Sequence, residues 1–179
     1  MRLSVLVVFP ILLVWACAAS EDTSRAALEE RVRRLEGEKE IRELLALYGE
    51  HLDAKDYAGY ASLFASDGVS TTGFGSATGP EAIETLLTEN LGKPEPGYIN
   101  EDRFHLMTTV TANVSGDMAT ARSRYTVFAA SQDGRPVAVH SGRYIDKVKR
   151  ENGLWKFSAR VSHGVIPYRE PAPSEMGQR

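Results

Sequence analysis

The stretch Ile41-Arg42-Glu43-Leu44-Leu45-Ala46-Leu47-Tyr48-Gly49-Glu50-His51-Leu52-Asp53-Ala54-Lys55-Asp56-Tyr57-Ala58-Gly59-Tyr60 decides how the chain is read. Ile41, Leu44, Leu45, Tyr48 and Leu52 recur at spacings of three and four, which puts one apolar stripe along a helix. Tyr48 and Asp53 lie on or beside that stripe, so a phenol and a carboxylate sit near the helix C-terminus at the edge of a core. Two readings stay open at this point. Either both groups line a pocket, or Tyr48 packs in the core and Asp53 begins the turn to the next helix.

Downstream, Ala54-Lys55-Asp56 makes a turn into a second short helix that Asp56 can cap, with Tyr57, Tyr60, Leu63 and Phe64 as its apolar face. Ser66-Asp67-Gly68 ends it, Val69 to Thr72 is a brief strand, and Gly73 to Gly79 reads as a flexible loop. Gly73 and Gly75 do not make a phosphate-binding fingerprint, because no third glycine opens a helix at the required offset. Pro80 suits a first helical position, and Ile83, Leu86, Leu87 and Leu91 give a third amphipathic helix that Gly92 ends. Lys93 to Asp102, with Pro94, Pro96 and Gly97, is a loop long enough to form one lip of a pocket.

From Arg103 onward the period changes from helical to alternating. Phe104 to Asn113, Met118 to Gln132, Pro136 to Lys149 and Leu154 to Ile166 read as strands separated by short turns of the hairpin kind. Helices first and an antiparallel meander after them argue an α+β fold. The tail from Pro167, with Pro171, Pro173 and Ser174, reads as irregular.

Upstream, residues 20 to 40 are rich in helix formers, with Leu28, Val32 and Leu35 at helical spacing and oppositely charged pairs four residues apart. This reads as a solvated leading helix over 19–37, which Gly37 breaks or bends before the domain at 38–166. Its three apolar positions are too few to argue a coiled coil. Arg2 precedes an apolar run from Leu3 to Ala16, too short to span a membrane and suited to a signal peptide over residues 1–18. Ala16-Cys17-Ala18 allows ordinary cleavage after Ala18, whereas Val14-Trp15-Ala16-Cys17 resembles a lipoprotein box that would lipidate Cys17 and anchor the domain at a membrane. Both readings place the protein outside the cytoplasm, periplasmic or membrane-anchored in a bacterium and otherwise secreted. An unmodified mature start at Ala19, read by mass spectrometry, would rule out the anchor.

With 179 residues and a net charge of -3, the chain is long enough for one domain with a sizeable core and has no long run of one sign of charge. Nucleic acid is therefore not expected as a partner. Cys17 is the sole cysteine, so disulfides, cysteine-ligated metals and a cysteine nucleophile are excluded from the folded part. No ligand-spaced His or carboxylate cluster and no Gly-x-Ser-x-Gly elbow occurs, so neither a metal site nor serine hydrolase chemistry is expected.

Two strand histidines are candidates for chemistry. Alternation puts His105 on one face with Met107, Thr109 and Thr111, opposite Phe104, Leu106 and Val110, and puts His140 on a face with Gly142 and Tyr144. Each has the alternative of being satisfied by hydrogen bonds or exposed at a sheet edge. Arg122 and Arg124 read as a solvated strand face, whereas Arg160 could hold an anionic or carbonyl oxygen at a cavity mouth or form a surface ion pair. His51 more simply faces water, and His163 has no assigned role.

The order of segments resembles the SnoaL-like group of the nuclear transport factor 2-like (NTF2-like) superfamily over roughly residues 25 to 165. The carrying segments are Glu40 to Tyr48 with Leu52 to Asp56, Tyr60 to Val69, Gly79 to Ile83, Arg103 to His105, Gly142 to Asp146 and Gly153 to Phe157. The resemblance implies an NTF2-like cone, a curved antiparallel sheet covered by N-terminal helices around a deep, mostly apolar pocket. Relatives include scytalone-type and bile-acid dehydratases, dehydrochlorinases, isomerases and polyketide cyclases. By position the resemblance implies Asp53, His105 and Tyr48 as catalytic residues. Many relatives read Arg-His directly where this chain reads Arg103-Phe104-His105. Tyr57, Tyr60, Phe74, His140, Tyr144 and Arg160 are the expected substrate contacts.

The implied activity is cofactor-independent proton abstraction with elimination or isomerisation of a small carbonyl-containing, polyketide- or steroid-like molecule. The competing reading is a non-catalytic binding or structural module. In either case the expected partners are a small apolar or carbonyl-containing ligand and a second copy of the chain in a homodimer or higher oligomer.

Overall fold

The computed structural model describes residues 11–169. Residues 1–10 of the expected leader, the tail beyond 169 and the side chain of Cys17, on which the expected lipidation would fall, lie outside the described residues. No helix among the described residues is long and apolar enough to cross a membrane. The chain divides into two units between Glu36 and Gly37.

The first helix, α1 (Ile11–Asp53), runs through that division. In the first unit its charged side chains are exposed and pair along the helix, Arg25 with Glu29 at 3.0 Å and Arg33 with Glu30 at 2.7 Å. Leu28, Val32 and Leu35 are exposed among the described residues.

In the second unit α1 buries Ile41, Leu44, Leu45 and Tyr48, the stripe expected from their spacing. Gly37 does not break the helix. A Cβ there would stand 3.2 Å from the Val114 side chain and 3.3 Å from the Trp155 ring, so the glycine is explained by close packing rather than by a bend. The Asp56 side chain accepts the Gly59 N–H at 2.8 Å and caps α2 (Tyr57–Ser62).

That helix is shorter than its apolar spacing suggests. Phe64 begins strand β1 (Phe64–Thr72), and β2 (Gly75–Thr78) replaces the expected glycine loop. The reason is tertiary, because Leu63 C=O accepts the Phe157 N–H at 2.9 Å and Phe64 pairs with Phe157 in a parallel register. The register shifts between Phe64 and Val69, and Gly68 permits the close approach, since a Cβ there would meet the Phe157 carbonyl at 2.5 Å. Helix α3 (Pro80–Leu91) follows, ended by Gly92 at φ 76°.

Strands β3 (Arg103–Ser115), β4 (Met118–Ala130), β5 (Pro136–Glu151) and β6 (Leu154–Ile166) form the expected meander, and β7 (Tyr168–Arg169) pairs with β6. The sheet order is β2-β1-β6-β5-β4-β3. Because β1 joins β6 in parallel, the curved sheet is mixed rather than purely antiparallel. The fold is otherwise the expected α+β cone, with Tyr48, Tyr60, Phe64, Tyr144, Val148 and Phe157 among its core residues.

One expectation about β3 fails for a local reason. The β3–β4 register shifts between Thr108 and Thr111, and Thr109 takes φ 51° in the left-handed region. The bulge reverses the alternation beyond it. Val110, Ala112 and Val114 therefore pack against the core with Met107, instead of Val110 lying opposite it.

Candidate functional site

A cavity of about 770 Å³ opens in the second unit, walled by the end of α1, α2, the loop after α3 and the inner faces of β3, β4, β5 and β6. Tyr48, Asp53, Tyr57, Tyr60, Phe74, His105, His140 and Tyr144 all line it. Tyr98 to Asp102, from the loop between α3 and β3, supply the expected lip. Phe74 is exposed and His140 lies at a surface-exposed position, so these two belong to the rim.

Asp53 ends α1 and His105 lies near the start of β3, and the two meet within the cavity wall. His105 Nδ1 lies 2.5 Å from Asp53 Oδ1, and the His105 backbone N–H donates to Asp53 Oδ2 at 2.8 Å. The pair is mostly shielded, with side-chain exposures of 15% for the histidine and 19% for the aspartate. An ionised carboxylate only accepts, so Nδ1 carries the proton and the neutral ring keeps Nε2 as an acceptor. Helix α1 passes β3 at ordinary packing distance here, since a Cβ on Gly49, four residues before Asp53, would stand 3.6 Å from the His105 Cβ.

Beside the pair lies a buried chain of hydroxyls. Tyr48 Oη is 3.4 Å from Tyr144 Oη and 3.4 Å from Tyr60 Oη, which in turn lies 3.4 Å from Ser70 Oγ. Burial pushes the Tyr60 and Tyr144 phenols well above their ordinary range, against an opposing pull from the Arg160 guanidinium. Both stay neutral donors. The Tyr57 hydroxyl is buried and has no hydrogen-bond partner among the described residues.

Arg160 departs from its expected place at a cavity mouth or in a surface ion pair. It is 1% exposed, does not line the cavity, and pairs with the equally buried Asp146 at 3.5 Å. The β5–β6 register shifts between Phe157 and Ala159, and this break in the alternation turns Arg160 inward with Phe157, behind the tyrosines that face the cavity. His51 keeps partial exposure, 26% of its side chain, and its Nδ1 lies 2.8 Å from Asp56 Oδ2.

Sequence reasoning did not carry Tyr125 and Asp146 into the site. Tyr125 lines the cavity and stacks on Tyr144 with centroids 4.6 Å apart. The alternation Gly142, Tyr144, Asp146, Val148 could have shown an acid on an apolar strand face, which asks for a buried cation as partner.

Burial pushes the Asp146 carboxyl from its ordinary 3.8 up to about 6, against the pull of the Arg160 guanidinium. The folded state thus holds the proton better than the unfolded chain, a stabilisation complete below about pH 4 and lost as the pH rises through 6. Asp146→Asn mimics the protonated form. Whatever the constant cost of leaving Arg160 unpaired, the difference in urea-unfolding stability between variant and wild type should move in the variant's favour as the pH rises from about 4 to about 7.5. A difference that stays constant over that range, or moves towards wild type, would contradict this sign.

Among the described residues no three His, Cys, Asp or Glu side chains are grouped to hold a metal ion. The family model described as SnoaL-like domain matches residues 33–161. An NTF2-like protein with a cystatin-like fold from Novosphingobium aromaticivorans is 30% identical, with a TM-score of 0.64 over 74% of this chain and 84% of that one. A protein of unknown function with a cystatin-like fold from Nostoc punctiforme is 26% identical, with a TM-score of 0.59 over 70% of this chain and 88% of that one. A structure from Catenulispora acidiphila in complex with S-DNPA is 24% identical (TM-score 0.59, 72% and 93% covered) and shows the fold alone. No curated protein matches the chain. With most of its described length in that match and the cone around the cavity, the chain belongs to the SnoaL-like domain family of NTF2-like proteins.

Proposed function

We propose that this protein catalyses cofactor-independent proton abstraction next to a carbonyl, leading to elimination or isomerisation of a small, largely apolar molecule. The observation that carries the reading is the 2.5 Å contact of His105 Nδ1 with Asp53 Oδ1 inside the wall of the cavity. Asp53 fixes the ring with Nε2 unprotonated and favours the imidazolium that forms when Nε2 takes the proton. The Tyr48 hydroxyl donates to the carbonyl oxygen as negative charge develops, in a setting shielded from water. Loss of a β-leaving group completes an elimination, and reprotonation at another carbon completes an isomerisation. A binding module needs a cavity but not a histidine held by a carboxylate, and that pair favours the enzyme.

The test is exchange of the acidic C1 protons of 2-tetralone in deuterated buffer, followed by proton NMR. The wild-type protein is expected to accelerate exchange above the buffer rate. A set of mono- and bicyclic ketones, 2-tetralone included, with no acceleration for any of them would overturn the reading.

A further inference from the structure

We propose that Arg160 is a positioning residue that sets how strongly the cavity holds an oxyanion at the Tyr48 hydroxyl. This rests on the reading of Tyr48 given under Proposed function. The guanidinium carbon lies 3.7 Å from the centre of the Tyr48 ring, 3.8 Å from that of Tyr144 and 4.6 Å from that of Phe157. The cation sits in the corner made by two tyrosines whose rings meet edge to face at 5.2 Å.

What Arg160 does not do is as informative. Arginine is ordinarily placed to spend a fork of five N–H donors on carboxylates, carbonyls or water. Here none of its three nitrogens has a hydrogen-bond partner among the described residues, and neither oxygen of Asp146 has one. Their 3.5 Å contact is an ion pair without hydrogen bonds. A pair of this kind is often matched or surpassed in stability by apolar residues of similar volume, so packing alone does not account for it.

What the site gains is a positive charge against the faces of Tyr48 and Tyr144 in a region where water does not screen it. A cation on a phenol face draws electron density from the ring and makes its O–H a stronger donor. Tyr60 and Tyr144, each with its oxygen 3.4 Å from that of Tyr48, hold the hydroxyl in line. Arg160 thus acts on a bound oxyanion through Tyr48, and the ligand class it favours is an enolate or phenolate.

The probe is 2-naphthol, a stable phenol shaped like the enol of a bicyclic ketone, whose absorbance reports its ionisation. Bound to the full-length wild-type protein, it is expected to ionise at lower pH than when free. Arg160→Met should move the bound midpoint up by about one pH unit, a tenfold change in the ionisation ratio. Arg160→Lys, which keeps the charge but loses the planar contact, should move it by less. Asp146→Asn removes the counter-charge and should move the midpoint the opposite way. It also supplies the answer should Arg160→Met fail to fold. A purely structural role for Arg160 would move stability and leave these midpoints together. Coinciding midpoints, or a wild-type protein that neither binds 2-naphthol nor shifts its ionisation, overturn the proposal. Ketone exchange with coinciding midpoints defeats the role of Arg160 alone. Midpoints that separate as stated, with no ketone exchange, defeat the catalytic reading while the role of Arg160 stands.

Discussion

His105→Ala and Asp53→Asn are each expected to lower kcat/KM for α-proton exchange by about a hundredfold to ten-thousandfold, the usual contribution of a general base. For His105 the loss follows from removing the acceptor itself. For Asp53 it follows from two hydrogen bonds that an amide cannot reproduce. One aspartate oxygen faces Nδ1 and the other accepts the His105 backbone N–H at 2.8 Å. An asparagine in its place would need to keep its oxygen on that N–H, which turns its NH2 towards Nδ1. The ring would then carry its proton on Nε2 and could no longer act as base. The opposite orientation sets NH2 against the backbone N–H, two donors face to face. Exchange rates near wild type in both variants would sink the dyad.

This pair shows what a single sequence can and cannot convey about a site. The helix stripe through Tyr48 is local, so its burial was legible from spacing alone. The alternation of Phe104, His105 and Leu106 is local as well, and it puts the histidine on the core side. The meeting of Asp53 with a residue 52 positions later has no local signal, and only the order of segments shared with a family suggested it. Arg160 was misplaced for the same reason. Its neighbours in sequence do not reveal that Tyr48 and Tyr144 stand between it and the cavity.

The fold was legible where periodicity is uninterrupted and illegible where contact across the sheet overrides it. The four long strands and α3 follow from their patterns. The parallel pairing of β1 with β6 does not, because Tyr57, Tyr60, Leu63 and Phe64 keep helical spacing up to the residue that joins the sheet. The bulge at Thr108 to Thr111 leaves no mark in composition, since a threonine rather than a glycine takes the positive φ. Gly37 could be misread as a break because a glycine in a helix has two causes, and only the Val114 and Trp155 side chains beside it tell them apart.

Phe157→Ala is expected to lower the unfolding free energy by about 3–5 kcal/mol, a large share of the roughly 5–15 kcal/mol that holds a domain folded. Phe157 is fully buried, its ring centre 5.2 Å from that of Phe64 and 6.2 Å from that of Tyr48. It stands where the parallel β1–β6 register begins, so its loss removes packing from the joint that attaches β1 to the meander. The void would adjoin the Arg160 guanidinium, whose nitrogens have no hydrogen-bond partner among the described residues, and water entering there would recover part of the loss. The cost therefore belongs nearer the lower end of the range. Urea unfolding should show a lower midpoint with an unchanged slope, while Leu154→Ala, on the same strand but 62% exposed, stays within about 0.5 kcal/mol of wild type. A Phe157→Ala variant within about 1 kcal/mol of wild type would mean that the ring is not the keystone of this joint. The Tyr48 wall would then have to be held by Arg160 and Tyr144 without it.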